Sequence, residues 1–179
     1  MGALRSRPAA FRNIASVLEI GTSRLPTRGE LAAWRSFLRA HARITRSLET
    51  ELINEQRLSL AAYDVLVHLA DAPERRMRMT DLAEAVLLSR SGVTRLVDRL
   101  ERAGLVFRER ADGDGRGVVA VLTQGGLDRL RNASTTHLGG VVRYFVSVLE
   151  TQDIDVLAST CARLAEGKLP VARGQDAQA

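Results

Sequence analysis

One stretch restricts the fold more than any other. Between Thr80 and Thr123, helix caps and turn residues follow one another at short, ordered intervals. Thr80 is suited to accept from the unpaired N–H groups of a helix start, and Leu82, Ala85 and Val86 give that helix an apolar face. Ala83 stands where a capping box would need glutamate, so this is a cap without a box. Leu87 and Leu88 leave room only for a tight link to Ser89, a second cap, whose helix runs to Ala103 with Gly104 placed for a left-handed stop. "LVFRER" then alternates as a strand, "ADGDGRG" is turn chemistry, and "VVAVL" is a β-branched return strand. Helix, turn, helix and hairpin in this order predict a winged helix-turn-helix.

Long helices flank this head. From Glu30 to about Asn54, Leu31, Trp34, Leu38, His41, Thr45, Leu48 and Leu52 form one stripe, with Phe37 and Ile44 beside it. Ser59 caps a second helix carrying Tyr63, Leu66, Leu69 and Ala70, which Pro73 stops, and "PERRMRM" reads as a turn and a short edge strand. Thr123 caps a fifth helix with Leu127, Leu130, Leu138, Val141, Phe145 and Leu149 on its apolar face, bent or loosened at Gly139–Gly140. A last helix from about Asp153 is expected to bury Ile154, Leu157 and Leu164.

The predicted fold class is mainly α, an α+β winged helix. Residues 1–29 form an N-terminal extension, in which Phe11, Ile14, Val17 and Leu18 have the spacing of a short helix. Residues 30–167 form the main domain, with the winged head at 58–123 and dimerisation helices at 30–57 and 124–167, and residues 168–179 form a flexible tail. Apolar seams at both ends of the chain exceed what the head can cover, so a homodimer is expected.

Composition excludes other classes. At 45% hydrophobic and 26% charged residues, the 179-residue chain suits one globular unit, and a net charge of +5 is compatible with an acidic partner. Cys161 is the sole cysteine, which rules out an internal disulfide framework and a thiolate-rich zinc site. No apolar run is long enough to cross a bilayer, so the expected location is the cytoplasm, with no membrane partner. His41, His68 and His137 fall on different predicted helices without metal-ligand spacing, and no metal or cofactor is expected. Lys168 is the only lysine, no glycine loop lies between strand and helix, and no nucleophile sits beside a base; an enzyme is not expected.

The helix that Ser89 caps offers candidate nucleic-acid contacts. Val93, Leu96, Val97 and Leu100 cluster on one side, leaving Ser91, Thr94, Arg95, Asp98 and Arg102 outward. Short polar side chains near a helix start admit it to a major groove, where Arg95 is the candidate for a base edge and Ser91 and Thr94 for base or phosphate. Ser89, Arg90 and Arg99 flank them as phosphate contacts. An ordinary solvated helix face has the same composition. Arg108, Arg110 and Arg116 lie in or beside the glycine-rich hairpin, where an arginine on a thin loop fits a minor groove. Asp112 and Asp114 argue against a simple basic patch, and Asp114 is placed to hold the Arg116 guanidinium.

The run "MTDLAEAVLLSRSGVTRLVDRLERAGLVFRERADGDGRGVVAVLTQGG" resembles the helix-turn-helix and wing of the MarR-type regulators, including Asp114-x-Arg116 followed by Leu122–Thr123. A weaker resemblance extends over residues 30–167. It implies a helical dimerisation region built from both chain ends, a palindromic double-stranded operator, and repression relieved by a small, often aromatic, effector. It assigns the wing role to Asp114 and Arg116 and the reading role to the outward face of the fourth helix. The chain departs from the family in its N-terminal extension and in Gly113, Gly115 and Gly117, where Pro or Arg is common. For an effector, the candidate residues are Trp34, Phe37 and His41 on the first helix and Tyr63, Asp64 and His68 on the second. Aromatic residues on apolar stripes are more often core. The alternative function is a winged-helix protein-interaction module without sequence-specific DNA binding.

Overall fold

The computed structural model describes residues 25–111 and 117–166. The chain divides into two compact units, Met1–Ala40 and His41–Ala179, and helix α1 (Arg28–Gln56) contributes to both. In the first unit the Glu30 N–H donates to Thr27 Oγ1 at 3.2 Å and the Thr27 N–H to Glu30 Oε2 at 2.7 Å. This capping box, Thr27-x-x-Glu30, starts α1 two residues ahead of the expected Glu30. Further along, Trp34 and Phe37 stack with ring centroids 6.1 Å apart, and both are exposed.

In the second unit the predicted order of elements is present. Helix α2 (Leu60–Asp71) is capped by Ser59, whose Oγ accepts from the Ala62 N–H, and Glu49 of α1 accepts from the Leu60 N–H. Pro73 opens a one-turn 3-10 helix (Pro73–Arg75), followed by strand β1 (Arg76–Arg78) and helix α3 (Met79–Ala85). Helix α4 (Arg90–Arg102) leads through Gly104, at φ +69°, to strands β2 (Val106–Arg110) and β3 (Val118–Leu122). The antiparallel sheet has the order β1-β3-β2, with Met77 opposite Ala120 and Arg108 opposite Ala120 from the other side. β1 is thus the expected edge strand. Helix α5 (Gln124–Tyr144), capped by Thr123, is followed by a 3-10 turn (Val146–Val148) and helix α6 (Thr151–Ala165).

One core holds these pieces together. Leu66 and Leu69 of α2, Leu82 of α3, Val93 and Val97 of α4, Val106 of β2 and Ala120 of β3 are almost fully withdrawn from water, and Leu130 and Ala133 of α5 join them. Two glycines let backbones come closer than a side chain would allow. A Cβ on Gly126 would lie 2.1 Å from the Leu105 carbonyl oxygen, which seats α5 on the turn after α4. A Cβ on Gly140 would lie 2.7 Å from Leu48, so α5 passes tightly against α1 there.

Three expectations are corrected. Thr80 is not the cap of α3: the helix begins at Met79, two residues earlier than a Thr80 cap implies, with Arg78 at the cap position, and the Thr80 hydroxyl donates to Asp81 Oδ1. Pairing of Arg78 with Val119 in the sheet sets where the chain can turn into helix, and that overrides the local preference of threonine. Helix α5 runs unbroken through Gly139–Gly140 and ends at Tyr144, so Phe145 and Leu149 lie beyond it. No residue of α6 is buried: Ile154 and Leu157 are half-buried and Leu164 is 66% exposed.

The link between α3 and α4 carries a strained residue. The Leu88 N–H bonds to the Ala83 carbonyl at 3.0 Å and the Leu87 N–H to the Glu84 carbonyl at 3.2 Å, the paired pattern of a Schellman stop. Leu87 occupies its left-handed position, at φ +53°, with its side chain 91% exposed. A γ-branched residue there has the steric cost of the left-handed region and no burial to offset it. Leu87→Asn is expected to stabilise the fold by about 1 kcal/mol, read as a higher denaturant midpoint at unchanged m value. A midpoint at or below that of the parent chain contradicts this account.

Candidate nucleic-acid interface

The burial of one face of α4 decides what the other presents. Val93, Leu96, Val97 and Leu100 are at most 4% exposed. With that side fixed inward, Arg90, Ser91, Thr94, Arg95, Arg99 and Arg102 are all exposed. Ser89 is exposed too, and its Oγ accepts from the Gly92 N–H at 3.1 Å and lies 3.3 Å from Ser91 Oγ. The first turn therefore gathers two hydroxyls, one arginine and the outward N–H groups of a helix start, a combination that attracts anions. The Thr94 hydroxyl donates to the Arg90 carbonyl at 2.8 Å, so it faces outward as an acceptor.

Asp98, on the outward face as expected, is half-buried and engaged by a neighbour. Arg108, at the start of the hairpin, reaches back across α4: its Nη2 lies 2.6 Å from Asp98 Oδ1 and 2.6 Å from Glu101 Oε2, and its Nε donates to Glu101 Oε2 at 3.0 Å. The Arg108 backbone N–H donates to Glu101 Oε1 at 2.9 Å. The side-chain and backbone hydrogen bonds from Arg108 hold the Glu101 carboxyl below the usual carboxylate range, and the same contacts raise the Arg108 guanidinium further. Arg108 is therefore an internal tie between hairpin and helix. Glu109 pairs across the sheet with Arg76 at 3.0 Å.

Of the remaining hairpin residues, Arg110 ends β2 and is exposed, and the Ala111 N–H donates to the Gly117 carbonyl at 2.9 Å, closing the base of the loop. Asp112, Asp114 and Arg116 lie outside the described residues.

Six residues are the effector candidates. Trp34 and Phe37 belong to the first unit, and His41 is exposed. Tyr63 is a core residue, 5% exposed, with its hydroxyl 3.2 Å from Ser134 Oγ of α5. Asp64, half-buried on the same helix, has its pKa raised by burial, with His137 and His68 opposing the shift and Glu49 adding to it. His68 is half-buried and lines an open cleft of about 760 Å³ with Asp71, Arg76, Arg78 and Asp81.

His137, which spacing alone did not single out, completes this group. Its ring lies 4.4 Å from that of Tyr63, and burial lowers its pKa while Asp64 partly opposes the shift. His137 Nδ1 is the one buried side-chain polar atom without a hydrogen-bond partner among the described residues. Within the same residues no cluster of His, Cys, Asp and Glu has metal-holding geometry, and no helix is long and apolar enough to cross a membrane.

Comparison with known proteins places this arrangement. Residues 58–117 match the MarR family. The chain is 36% identical to AbsC, a MarR family transcriptional regulator from Streptomyces coelicolor, over 81% of this chain and 97% of that one, with a TM-score of 0.74. It is 32% identical to Sco3205, another MarR family regulator from Streptomyces coelicolor, solved in complex with DNA, over 84% of this chain and 94% of that one, with a TM-score of 0.78. A 24% identity over 104 residues links it to the HTH-type transcriptional regulator MhqR of Bacillus subtilis (strain 168), covering 58% of this chain and 68% of that protein.

The histidine junction makes stability depend on pH with a definite sign. His137 is held below its ordinary 6.5 in the folded chain, so unfolded chains take up the proton first as pH falls. Its contribution is complete above 6.5 and is lost as pH drops toward the folded-state value. Asp64, raised above 3.8, acts in the opposite sense: its contribution is present below 3.8 and is lost as pH rises through the folded-state value. The thermal midpoint of His137→Phe is expected to fall less than that of the parent between about pH 7 and about pH 5. Parallel curves for the two proteins refute the assignment.

Proposed function

The chain belongs to the MarR family of transcriptional regulators, and on that premise we propose that it is a homodimeric, sequence-specific DNA-binding repressor released by a small ligand. The observation that carries the reading is the exposed start of α4, where Ser89, Arg90, Ser91, Thr94 and Arg95 are all open to solvent while Val93, Leu96, Val97 and Leu100 on the opposite face are buried. In this reading Arg95 contacts a base edge, Ser91 and Thr94 a base or phosphate, and Ser89, Arg90 and Arg99 the flanking phosphates of a palindromic operator. Arg110 and the Asp114–Arg116 pair serve the adjacent minor groove. The DNA complex of Sco3205, at 32% identity, supports the partner.

Dimerisation falls to helices whose apolar faces remain uncovered. Leu138 and Val142 of α5 and Val156 and Leu164 of α6 are each more than half exposed, as is Trp34 on α1. This supports the assignment of residues 30–57 and 124–167 to dimerisation and of 58–123 to the reading head. For the effector, Asp64 and His68 on α2 remain candidates beside Tyr63, against whose ring His137 of α5 lies. Trp34, Phe37 and His41 remain the α1 candidates.

Titration of the DNA flanking the gene tests the reading. Arg95→Ala is expected to cost about 1–3 kcal/mol and to relax specificity at one base pair, whereas Arg99→Ala weakens binding across all sequences and lowers the salt slope by about one. If both variants bind as the parent does at matched salt, the reading residues are misassigned. Leu138→Asp combined with Val142→Asp is expected to yield monomers in sedimentation at micromolar concentration. A persistent dimer would move the interface elsewhere.

A further inference from the structure

Helix α4 carries two carboxylates on the side that the proposed function turns toward DNA. Asp98 lies one turn beyond Thr94 and Arg95 on the outward face, and Glu101 one turn beyond Asp98. Left alone, both would repel phosphates that approach the helix. Neither is left alone. Arg108 takes two oxygens of Glu101 and one of Asp98 with its guanidinium and backbone N–H, and it does so from the first part of the hairpin.

We propose that Arg108 is a positioning residue for DNA reading: by gripping Asp98 and Glu101 it fixes the wing against the recognition helix and draws two carboxylates away from the phosphate path. The proposal rests on the DNA-reading function above.

Geometry favours a tie over a phosphate contact. The guanidinium presents a planar fork, and its Nε and Nη2 edge is spent on Glu101 while Nη2 also meets Asp98. The Arg108 N–H is also bonded to Glu101, so this point of β2 is attached to α4 through backbone as well as side chain. On its other side β2 is held by the ladder to β3, Arg108 opposite Ala120. β2 is thereby held by β3 along one edge and by α4 through Arg108. A lysine at this position keeps the charge but not the fork, which separates positioning from electrostatics.

The test compares the parent chain, Arg108→Lys, and the double variant Asp98→Asn/Glu101→Gln. Each is titrated with the flanking operator DNA and with a random duplex over a range of salt, after stoichiometric titration fixes the active fraction. Arg108→Lys is expected to lower the ratio of operator to random-duplex affinity about tenfold while leaving the random-duplex affinity and its salt slope unchanged. The double variant is expected to bind the random duplex more tightly, with a slope steeper by about one, and to lose operator preference as well. A merely structural role would lower the active fraction and leave both slopes where they are.

An Arg108→Lys chain that keeps the parent ratio overturns the positioning role. A double variant whose random-duplex affinity and slope match the parent overturns the carboxylate-masking role. A parent chain without operator preference overturns the proposed function and this inference together, so the two failures are told apart by the parent measurement.

Discussion

Val93, Leu96, Val97 and Leu100 leave α4 with a single available orientation. Burying side chains of this size is worth about 1.5–3 kcal/mol each, so the four together contribute roughly 6–12 kcal/mol before any other term is counted. That sum is an upper bound, because the unfolded chain already hides part of the same surface. Rotating the helix by one residue would expose at least two of them and bury Thr94 or Arg95 in their place. No polar contact on the outer face approaches that energy, since an exposed ion pair contributes at most about 1 kcal/mol. The exposed row from Ser89 to Arg99 is therefore a consequence of the core.

Much of this was legible in the sequence because the signals were local. Ser59, Ser89 and Thr123 act as caps where their side-chain chemistry suggested, Gly104 takes the left-handed stop, and the four apolar residues of α4 are buried as their spacing required. Misreadings arose where a distant partner decides. Thr80 yields its cap position because strand pairing at Arg78 sets the chain's entry into α3. Arg108 reads as one more hairpin arginine until the turn through Gly104 folds it back onto Glu101, seven residues earlier. His137 lies on α5, remote in sequence from Tyr63 and Asp64 on α2, and no spacing rule joins them. The box at Thr27 and Glu30 was a local signal and was there to be read.

Exposure in α6 has a similar origin. Its helix is well started by the reciprocal Glu150 and Asp153 cap, and its apolar spacing is real, yet Ile154, Leu157 and Leu164 are not buried in the single chain. Periodicity reports that a face wants cover; it does not say which surface supplies it. The second copy proposed above would cover both sets of exposed residues through one symmetric interface.

The contacts that attach the head to its flanking helices differ in kind from those inside it. Leu130 and Ala133 of α5 belong to the shared core, and beyond them the hydrogen bond between Tyr63 and Ser134 ties α2 to α5, whereas Gln56 to Thr136, and Tyr144 and Arg143 to Glu51, join the two flanking helices α1 and α5 to each other. Hydrogen bonds of this sort contribute about 0.5–1.5 kcal/mol each, far below the apolar term that holds α4. A binding event that couples two sites typically supplies about 1–3 kcal/mol. Such an amount is too small to reorient α4 within the head. It is comparable with the hydrogen bond between Tyr63 and Ser134 that ties α2 to α5. The unpartnered His137 nitrogen lies beside Tyr63, at the meeting of α2 and α5 where the ligand proposed above would act.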